Sequence, residues 1–417
     1  MKVAYYSPLP PERSGIADYS ALLLPALEER LDVTVMRRGG RARFHRGADI
    51  AVYHVGNDPQ AHGWIVDALK REPGIVVIHD FVLHHLVAGM SVGVGNPNHY
   101  LDAMQREAGV VGRLLAHGVI DGLVPPLWET RAADFPLARE ILNYATGVIA
   151  HSHFVERNVR EYGFRGPVWV IPHPAWPRPE RQHPAPELAE GSPVFACVGN
   201  LTPSKRIPQL LEAFRRLTHE FPDAQLVLAG PASPRFDLDT LLERTKLRVG
   251  EQVHPLGYVD ETNLWALLDR SDACVNLRFP TMGETSGAAI RALVLGRPLV
   301  VTDVGWFAEL PDEVAAKVPV GQSEVDVLTA VLARLAGDEE LRAEMSRRAV
   351  EYVKREHALD RVAELYVAAL EEGAGRSLVQ DAVVAEVVGA IAEVGLGEND
   401  RELRQIGGAL REVGLGD

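Results

Sequence analysis

The chain has 417 residues, 47% hydrophobic and 24% charged, with 43 Lys and Arg against 57 Asp and Glu for a formal net charge of −14. This composition fits a globular protein of two or three domains with a sizeable core, and excludes a collagenous, disordered or disulfide-built chain. No run approaches the ~18–20 apolar residues of a membrane-spanning helix, and the acidic balance argues against a nucleic-acid polyanion as the main partner.

Met1-Lys2-Val3-Ala4-Tyr5-Tyr6 is too short and too quickly followed by proline to be a signal-peptide core. It reads as a first buried strand. Further strand candidates are Val33–Met36, Ile50–His54, Ile75–Ile78, Val148–His151 and Val168–Ile171 in the first half. In the second half they are Val194–Cys197, Gln225–Ala229, Val253–Leu256, Ala273–Leu277, Leu299–Thr302 and Ala316–Val318. Short, β-branched, almost uninterrupted apolar runs belong to strands buried on both faces, as in a parallel sheet covered by helices. Amphipathic stretches such as Pro208–His219 and Glu261–Leu268 lie between them. The alternation predicts two α/β, Rossmann-like, doubly wound parallel-sheet domains in series, and if their ligand-binding edges face each other they enclose a central cleft.

The first domain is expected over 1–172, with a helical insertion over 84–141 that holds no strand. A Pro-rich linker follows over 173–193, because no helix or central strand can run through so many prolines. The second domain is expected over 194–350, then a helix over 351–372, then a Gly-punctuated tail over 373–417 that suits two short helices or a weakly ordered appendage. In the tail, Glu393-Val-Gly-Leu-Gly-Glu398 recurs as Glu412-Val-Gly-Leu-Gly-Asp417. Cys197 and Cys274 sit inside strand-like runs and read as buried small hydrophobes, which fits a reducing cytoplasm.

In open α/β sheets ligands bind beyond the carboxyl ends of the strands. After the first strand, Ser14 suits a helix N-cap and Gly15 is either a plain turn or a point of close backbone approach to a ligand. After Ile75–Ile78 come His79 and Asp80, an imidazole beside a carboxylate or a simple helix cap. After Val194–Cys197 come Gly199 and the adjacent cations Lys205 and Arg206. They form a phosphate grip or a solvated helix start, and cations at that end oppose the helix dipole unless an anion is near. After Ala273–Leu277, Glu284 precedes Thr285, Ser286 and Gly287, whose N–H groups could take phosphate oxygens while the carboxylate takes sugar hydroxyls. One strand later Glu309 lies at the same edge. There is no G-x-G-x-x-G after a strand and no Walker A sequence, so dinucleotide and P-loop fingerprints are absent.

Ser14-Gly-Ile-Ala-Asp-Tyr19, Val198-Gly-Asn with Lys205-Arg206, Leu256-Gly-Tyr-Val259, Ser271-Asp-Ala273, Gly283-Glu-Thr-Ser286 and Gly296-Arg-Pro298 with Asp303-Val-Gly305 and Glu309 occur in this order. The set resembles the family-4 retaining glycosyltransferases of the GT-B fold, over about residues 1–370. The resemblance implies a hexosyltransferase-like enzyme. It would move a sugar from a nucleotide-diphosphate sugar to an acceptor, with retention, without a metal and with no cofactor beyond that co-substrate. It implies that Lys205 and Arg206 hold the diphosphate and that Gly15 lets backbone amides approach it. Glu284 would bind donor hydroxyls, the amides of Ser286 and Gly287 would lie near the phosphates, and His79 would lie by the anomeric carbon. It also implies that the helix near Glu351–Glu372 crosses back onto the first domain.

One departure is visible. The family pattern E-x7-E would put a second, ribose-binding acid eight residues after Glu284, where Ala292 stands. Counting back from Gly296 puts Arg291 in that place, to face a phosphate or pair with an acid. The competing readings are a nucleotide-sugar epimerase of the same fold and a non-catalytic two-lobe sugar-binding protein. The expected acceptor is a saccharide, a lipid-linked group or a small molecule, with the 84–141 insertion expected to shape its pocket. The stretch Arg37-Arg38-Gly-Gly-Arg41-Ala-Arg43 suits peripheral contact with an anionic membrane, or is a solvated loop. The tail leaves room for a homo-oligomer.

Overall fold

The structure is a computed structural model and describes residues 1–12, 14–39, 47–179, 188, 191–233, 236–394 and 401–412. Arg41, Arg43, most of the 180–190 part of the proline-rich segment and most of both tail repeats lie outside the described residues. The chain divides into two compact units, 1–171 with 363–417, and 172–362.

In the first unit, β1 (Lys2–Tyr6), β2 (Asp32–Met36), β3 (Ile50–Val55), β4 (Gly74–Ile78), β5 (Ala145–Ala150) and β6 (Val168–Val170) form one sheet in the order β2-β1-β3-β4-β5-β6. Every pairing is parallel. β1, β3 and β4 are apolar or aromatic apart from the exposed Lys2 and the buried His54, and nearly all their side chains are buried. That is the pattern of strands covered by helices on both faces. The strand-free stretch between β4 and β5 is helical: His84–Gly89, Pro97–Ile120, Leu127–Thr130 and Arg139–Leu142, with a break at Ala108 and Gly109 inside the second.

In the second unit, β7 (Val194–Val198), β8 (Gln225–Ala229), β9 (Val253–Gly257), β10 (Ala273–Asn276), β11 (Leu299–Thr302) and β12 (Ala315–Val318) form a second parallel sheet, ordered β12-β11-β10-β7-β8-β9. Alternation along β7 shows why both faces must be covered. Val194, Ala196 and Val198 enter one core, and Phe195 and Cys197 the other. Both cysteines are buried free thiols, with Cys274 pushed up to about 12 by burial first. The strand order reverses between β7 and β10, so the loops leaving those two strands flank the switch point where such sheets bind ligands.

Two features differ from the sequence reading. The start of the proline-rich segment is packed rather than a loose connector. Ala175 donates its N–H to the carbonyl of His357 at 2.8 Å, and Nδ1 of His357 lies 2.7 Å from the carbonyl of His173. The helix formers from Glu339 onward split at His357 into Glu339–Glu356 and Leu359–Val394. The second helix runs through Gly373 where two short tail helices were expected, leaving Arg401–Glu412 as a separate helix. Gly373 is a point of close approach, since a Cβ there would come within 2.6 Å of Ile75 on the first sheet. Proximity to a packed strand, not turn formation, explains that glycine.

The same helix is tied to the first unit by the hydroxyls of Tyr366 and Tyr19, 2.6 Å apart and fully buried. Tyr366→Phe removes this bond and is expected to lower stability by ~1 kcal/mol, read from denaturant unfolding. No change in midpoint would show that the pair contributes nothing. Among the described residues no helix is long and apolar enough to cross a membrane.

Candidate functional site

In the first unit the helix Gly15–Glu28 opens directly after β1. Ser14 caps it, its Oγ accepting the Ala17 N–H at 3.0 Å. A Cβ on Gly15 would meet nothing within 4 Å, so the protein's own packing does not demand a glycine there. His79 leaves the carboxyl end of β4, its backbone N–H bonded to the Val55 carbonyl, and its side chain is mostly buried. Its Nε2 lies 3.0 Å from Nδ1 of His54 at the end of β3. Asp80 accepts the Asn57 N–H at 2.9 Å. The sequence left open a carboxylate-oriented imidazole or a helix cap, and in the structure the His54 imidazole contacts the His79 ring.

His151, just after β5, and Tyr19 complete this cluster. The His79 ring centroid is 5.0 Å from that of His151 and 4.8 Å from that of Tyr19. His54 is fully buried, and burial holds its pKa well below the usual histidine range, with His151 and His62 pushing the same way. It is therefore neutral at pH 7. Among the described residues no three His, Cys, Asp or Glu side chains are grouped to hold a metal ion.

In the second unit the loop after β7 turns on Gly199, at φ +97°, where a Cβ would fall 2.8 Å from Nζ of Lys205. This is a position that needs glycine on both counts. The 3-10 turn Pro203–Lys205 ends at Arg206, which adopts the left-handed conformation at φ 56° before the helix Ile207–Leu217 begins. That reversal sends the two adjacent cations in different directions. Lys205 turns inward, is 5% exposed, and its ammonium donates to the Val198 carbonyl at the end of β7. Arg206 turns to the buried Glu324, with Nε donating to Oε1 at 2.8 Å and Nη2 to Oε2. The paired grip expected of Lys205 and Arg206 is thus divided, and Arg206 is occupied by a carboxylate.

The second cation near Lys205 is Arg278, two residues after the end of β10, which was not singled out as a site residue. Its Nε lies 2.8 Å from Oε1 of Glu284, and its N–H donates to Oγ1 of Thr302 at 2.9 Å. Burial pulls the Lys205 pKa down to about 8. Arg278 adds to that shift, while Cys197, Cys274 and Glu284 oppose it. An isolated cation next to a second one, in a dry setting, is a site prepared for negative charge. The sequence signal for Arg278 was its place as the first polar residue beyond a strand at the switch point.

Glu284 does not cap the following helix. Its Oε2 accepts the Met282 N–H at 2.7 Å and the Thr281 hydroxyl at 3.2 Å, which folds the loop back on itself. Ser286 is the cap of Gly287–Val294, its Oγ accepting from Ala289 N at 3.2 Å and from Asn276 Nδ2 at 2.9 Å. Oγ1 of Thr285 is buried with no hydrogen-bond partner among the described residues. Gly287 opens the helix against Trp176, 3.2 Å from where a Cβ would sit. Glu309 closes the 3-10 helix Gly305–Glu309 after β11, partly buried.

Arg291 is decided by its neighbours. It is 7% exposed and stacks on Trp176, 3.5 Å from the ring centroid. Its Nε and Nη2 donate to Oε1 and Oε2 of Glu261 at 3.0 and 3.3 Å, and its Nη1 donates to the Gly287 carbonyl at 3.4 Å. Of the two partners left open by the sequence, it takes the acid.

Residues 179–352, within the second unit, match the model of the family described as glycosyl transferases group 1. The α-D-kanosaminyltransferase of Streptomyces kanamyceticus is 26% identical over 179 residues, 42% of this chain. That stretch spans 45% of the relative, less than half its length. The sucrose-phosphate synthase of Thermosynechococcus elongatus superposes with a TM-score of 0.62 at 16% identity, over 89% of this chain and 98% of that one. An Anabaena protein solved with UDP and glucose superposes at 0.56 with 15% identity, over 89% of this chain and all of that one. At those identities the likeness is one of fold, and the fold is GT-B: two parallel-sheet α/β domains of six strands each.

Proposed function

We propose that the protein is a metal-independent, retaining glycosyltransferase that takes a sugar from a nucleoside-diphosphate donor. The reading rests on one observation above the others. Lys205 is desolvated beside Arg278, and Glu284 is held next to both, at the switch point of the unit that matches the glycosyl transferases group 1 family. When the sugar–phosphate bond breaks, the electron pair stays with the diphosphate. Preorganised cations that cost no reorganisation at that moment lower the barrier. Glu284, with Oε1 on Arg278 and Oε2 on the loop, offers a fixed acceptor for donor-sugar hydroxyls. The first unit would serve the acceptor, with His79 and its imidazole partner at the carboxyl edge of that sheet. Free, buried thiols suit the reducing cytoplasm as the place of action. The Anabaena protein with UDP bound makes UDP-sugars the first donors to try.

The deciding experiment is a donor screen across UDP-, GDP-, ADP- and TDP-sugars. Release of nucleoside diphosphate with one of them, and a product whose anomeric carbon keeps the donor configuration by NMR, is the expected result. Conversion of donor alone to an epimer would replace transfer with isomerisation, and binding without turnover would replace it with a carrier role.

A pH dependence follows from Lys205. Its pKa in the free protein is about 8, and a bound diphosphate favours the charged form and raises it. Binding near pH 8 should therefore take up a proton. Affinity should fall as pH rises past 8, because the free lysine then has to be recharged. Calorimetry at pH 7 and pH 9, in buffers of different ionisation heat, reads both quantities. Equal affinities with no proton uptake would remove Lys205 from the diphosphate site.

A further inference from the structure

A cavity of about 370 Å³ lies at the amino edge of the first sheet, beside Lys70, which caps the helix Pro59–Leu69 ahead of β4, and Tyr144, the residue before β5. The length of β4, roughly 16 Å, separates this edge from His79. Most of the remaining wall comes from the helical stretch between β4 and β5. Glu140 is its buried member, with a side chain 10% exposed. Nε of Arg106 donates to Oε1 of Glu140 at 2.8 Å, and Nη2 lies 2.7 Å from the same oxygen. Among the described residues Oε2 is approached only by Nε2 of His99, at 3.4 Å. A buried carboxylate whose second oxygen is so lightly held keeps acceptor capacity that burial makes costly to leave unused.

The other polar groups are of both kinds. Nη1 of Arg106 has no acceptor among the described residues, and Nζ of Lys70 has only the Tyr144 ring, 6.0 Å from its centroid. Asp102 gives Oδ1 to Nη1 of Arg113 at 2.7 Å and keeps Oδ2 without a partner among the described residues. The exposed Asn143 amide offers one group of each kind. A hydroxyl both donates and accepts, so a wall that mixes unused donors with unused acceptors matches a polyhydroxylated ring. An anion would meet Glu140 and Asp102 there, and a cation would meet Lys70 and Arg106. The volume is near the lower end of small-ligand sites, about 300–1,000 Å³, which suits one monosaccharide. The half-buried Tyr144 adds an apolar ring surface for the C–H face of a pyranose.

We propose that this cavity is a carbohydrate site of its own, holding one neutral pyranose, with Glu140 and Arg106 as the paired acceptor and donor for neighbouring hydroxyls. The ion pair fixes both side chains before the sugar arrives, so little rotamer freedom is lost on binding. The site anchors a saccharide and takes no part in sugar transfer, because it lies at the end of the sheet opposite His79. It does not depend on the donor reading above, and either assignment can fail alone.

The test is saturation-transfer NMR and calorimetry of the full chain with the methyl α-glycosides of glucose, mannose and galactose. Inorganic phosphate and ethanolamine are the charged probes, and every titration is repeated with UDP present. Wild type should bind at least one glycoside with a Kd of about 1 mM, unchanged by UDP, and should bind both charged probes at least ~10-fold more weakly. Glu140→Gln, which keeps the shape but not the charge, should weaken the glycoside by about 10-fold or more. Asn143→Trp fills the mouth from an exposed position, so it should abolish glycoside binding while leaving the melting temperature as in wild type. This second variant decides the matter if Glu140→Gln fails to fold. Absence of binding for all three glycosides in wild type overturns the proposal. So does phosphate or ethanolamine binding as tightly as the best glycoside, which would make the cavity a charge-selective site. Glycoside binding that persists in folded Asn143→Trp, or that UDP displaces, puts the sugar elsewhere and overturns it too.

Discussion

Lys205→Met is expected to lower turnover by ~10²–10³ at saturating donor, the usual loss when one preorganised stabiliser of developing charge is removed. The reason is specific to its surroundings. Lys205 is 5% exposed and its ammonium is anchored on the Val198 carbonyl, so the charge is already aimed and largely desolvated before any ligand arrives. A charge held that way interacts far more strongly with a departing diphosphate than one in bulk water. Methionine retains the length and the apolar stem, and the lysine charge was itself disfavoured by burial, so the fold should survive or gain slightly. The measurement pairs steady-state rates with a thermal melt. Wild-type turnover in Lys205→Met would place the diphosphate elsewhere. A collapse of the melting transition would instead make Lys205 a structural residue. Gly199 supports the same assignment, because its missing Cβ leaves the 2.8 Å gap that Nζ occupies.

Glu284→Ala should cost less, about 10- to 100-fold in kcat/KM, the worth of about one charged hydrogen bond lost in the transition state. Three consequences combine. The donor sugar loses an acceptor, the Met282 N–H and Thr281 hydroxyl lose the carboxylate that folds their loop, and Arg278 loses its partner at 2.8 Å beside Lys205. Glu284→Gln separates these effects. The amide oxygen can still accept from the loop, but it no longer neutralises Arg278. Recovery of most of the lost rate by Gln would mean that loop shape dominates. A Gln variant as impaired as Ala would mean that the negative charge matters. Unchanged kcat/KM in both variants would leave Glu284 as a loop brace with no part in donor binding.

Much of this arrangement is legible along the chain. Twelve largely apolar runs stand close to where the twelve parallel strands among the described residues lie, most clearly for β3, β4, β7 and β8, because a strand covered on both faces has no polar alternation to confuse it. The loops that matter could be picked out for the same reason: once a parallel sheet is granted, its carboxyl edge is where ligands go. Lys205 and Glu284 were found by that route. Arg278 was overlooked although it sits in the same loop as Glu284, since a lone arginine after a strand looks like any solvated residue until its neighbours are known.

The tertiary structure decided what a linear reading leaves degenerate. Lys205 and Arg206 are adjacent and chemically alike, yet a left-handed residue between a 3-10 turn and a helix turns one inward and delivers the other to Glu324, 118 residues away. Arg291 takes Glu261, 30 residues earlier, and Trp176 from the packed proline-rich segment. His79 meets His54 because β3 and β4 pair in parallel, a register that brings their carboxyl ends side by side. Hydrophobic periodicity is a property of the nearest residues, so sequence alone determined the strands, their burial and the edge that carries the chemistry. Which cation meets which acid depends on backbone reversals and on partners far along the chain. Those long-range contacts form only when the sheets and their helices pack.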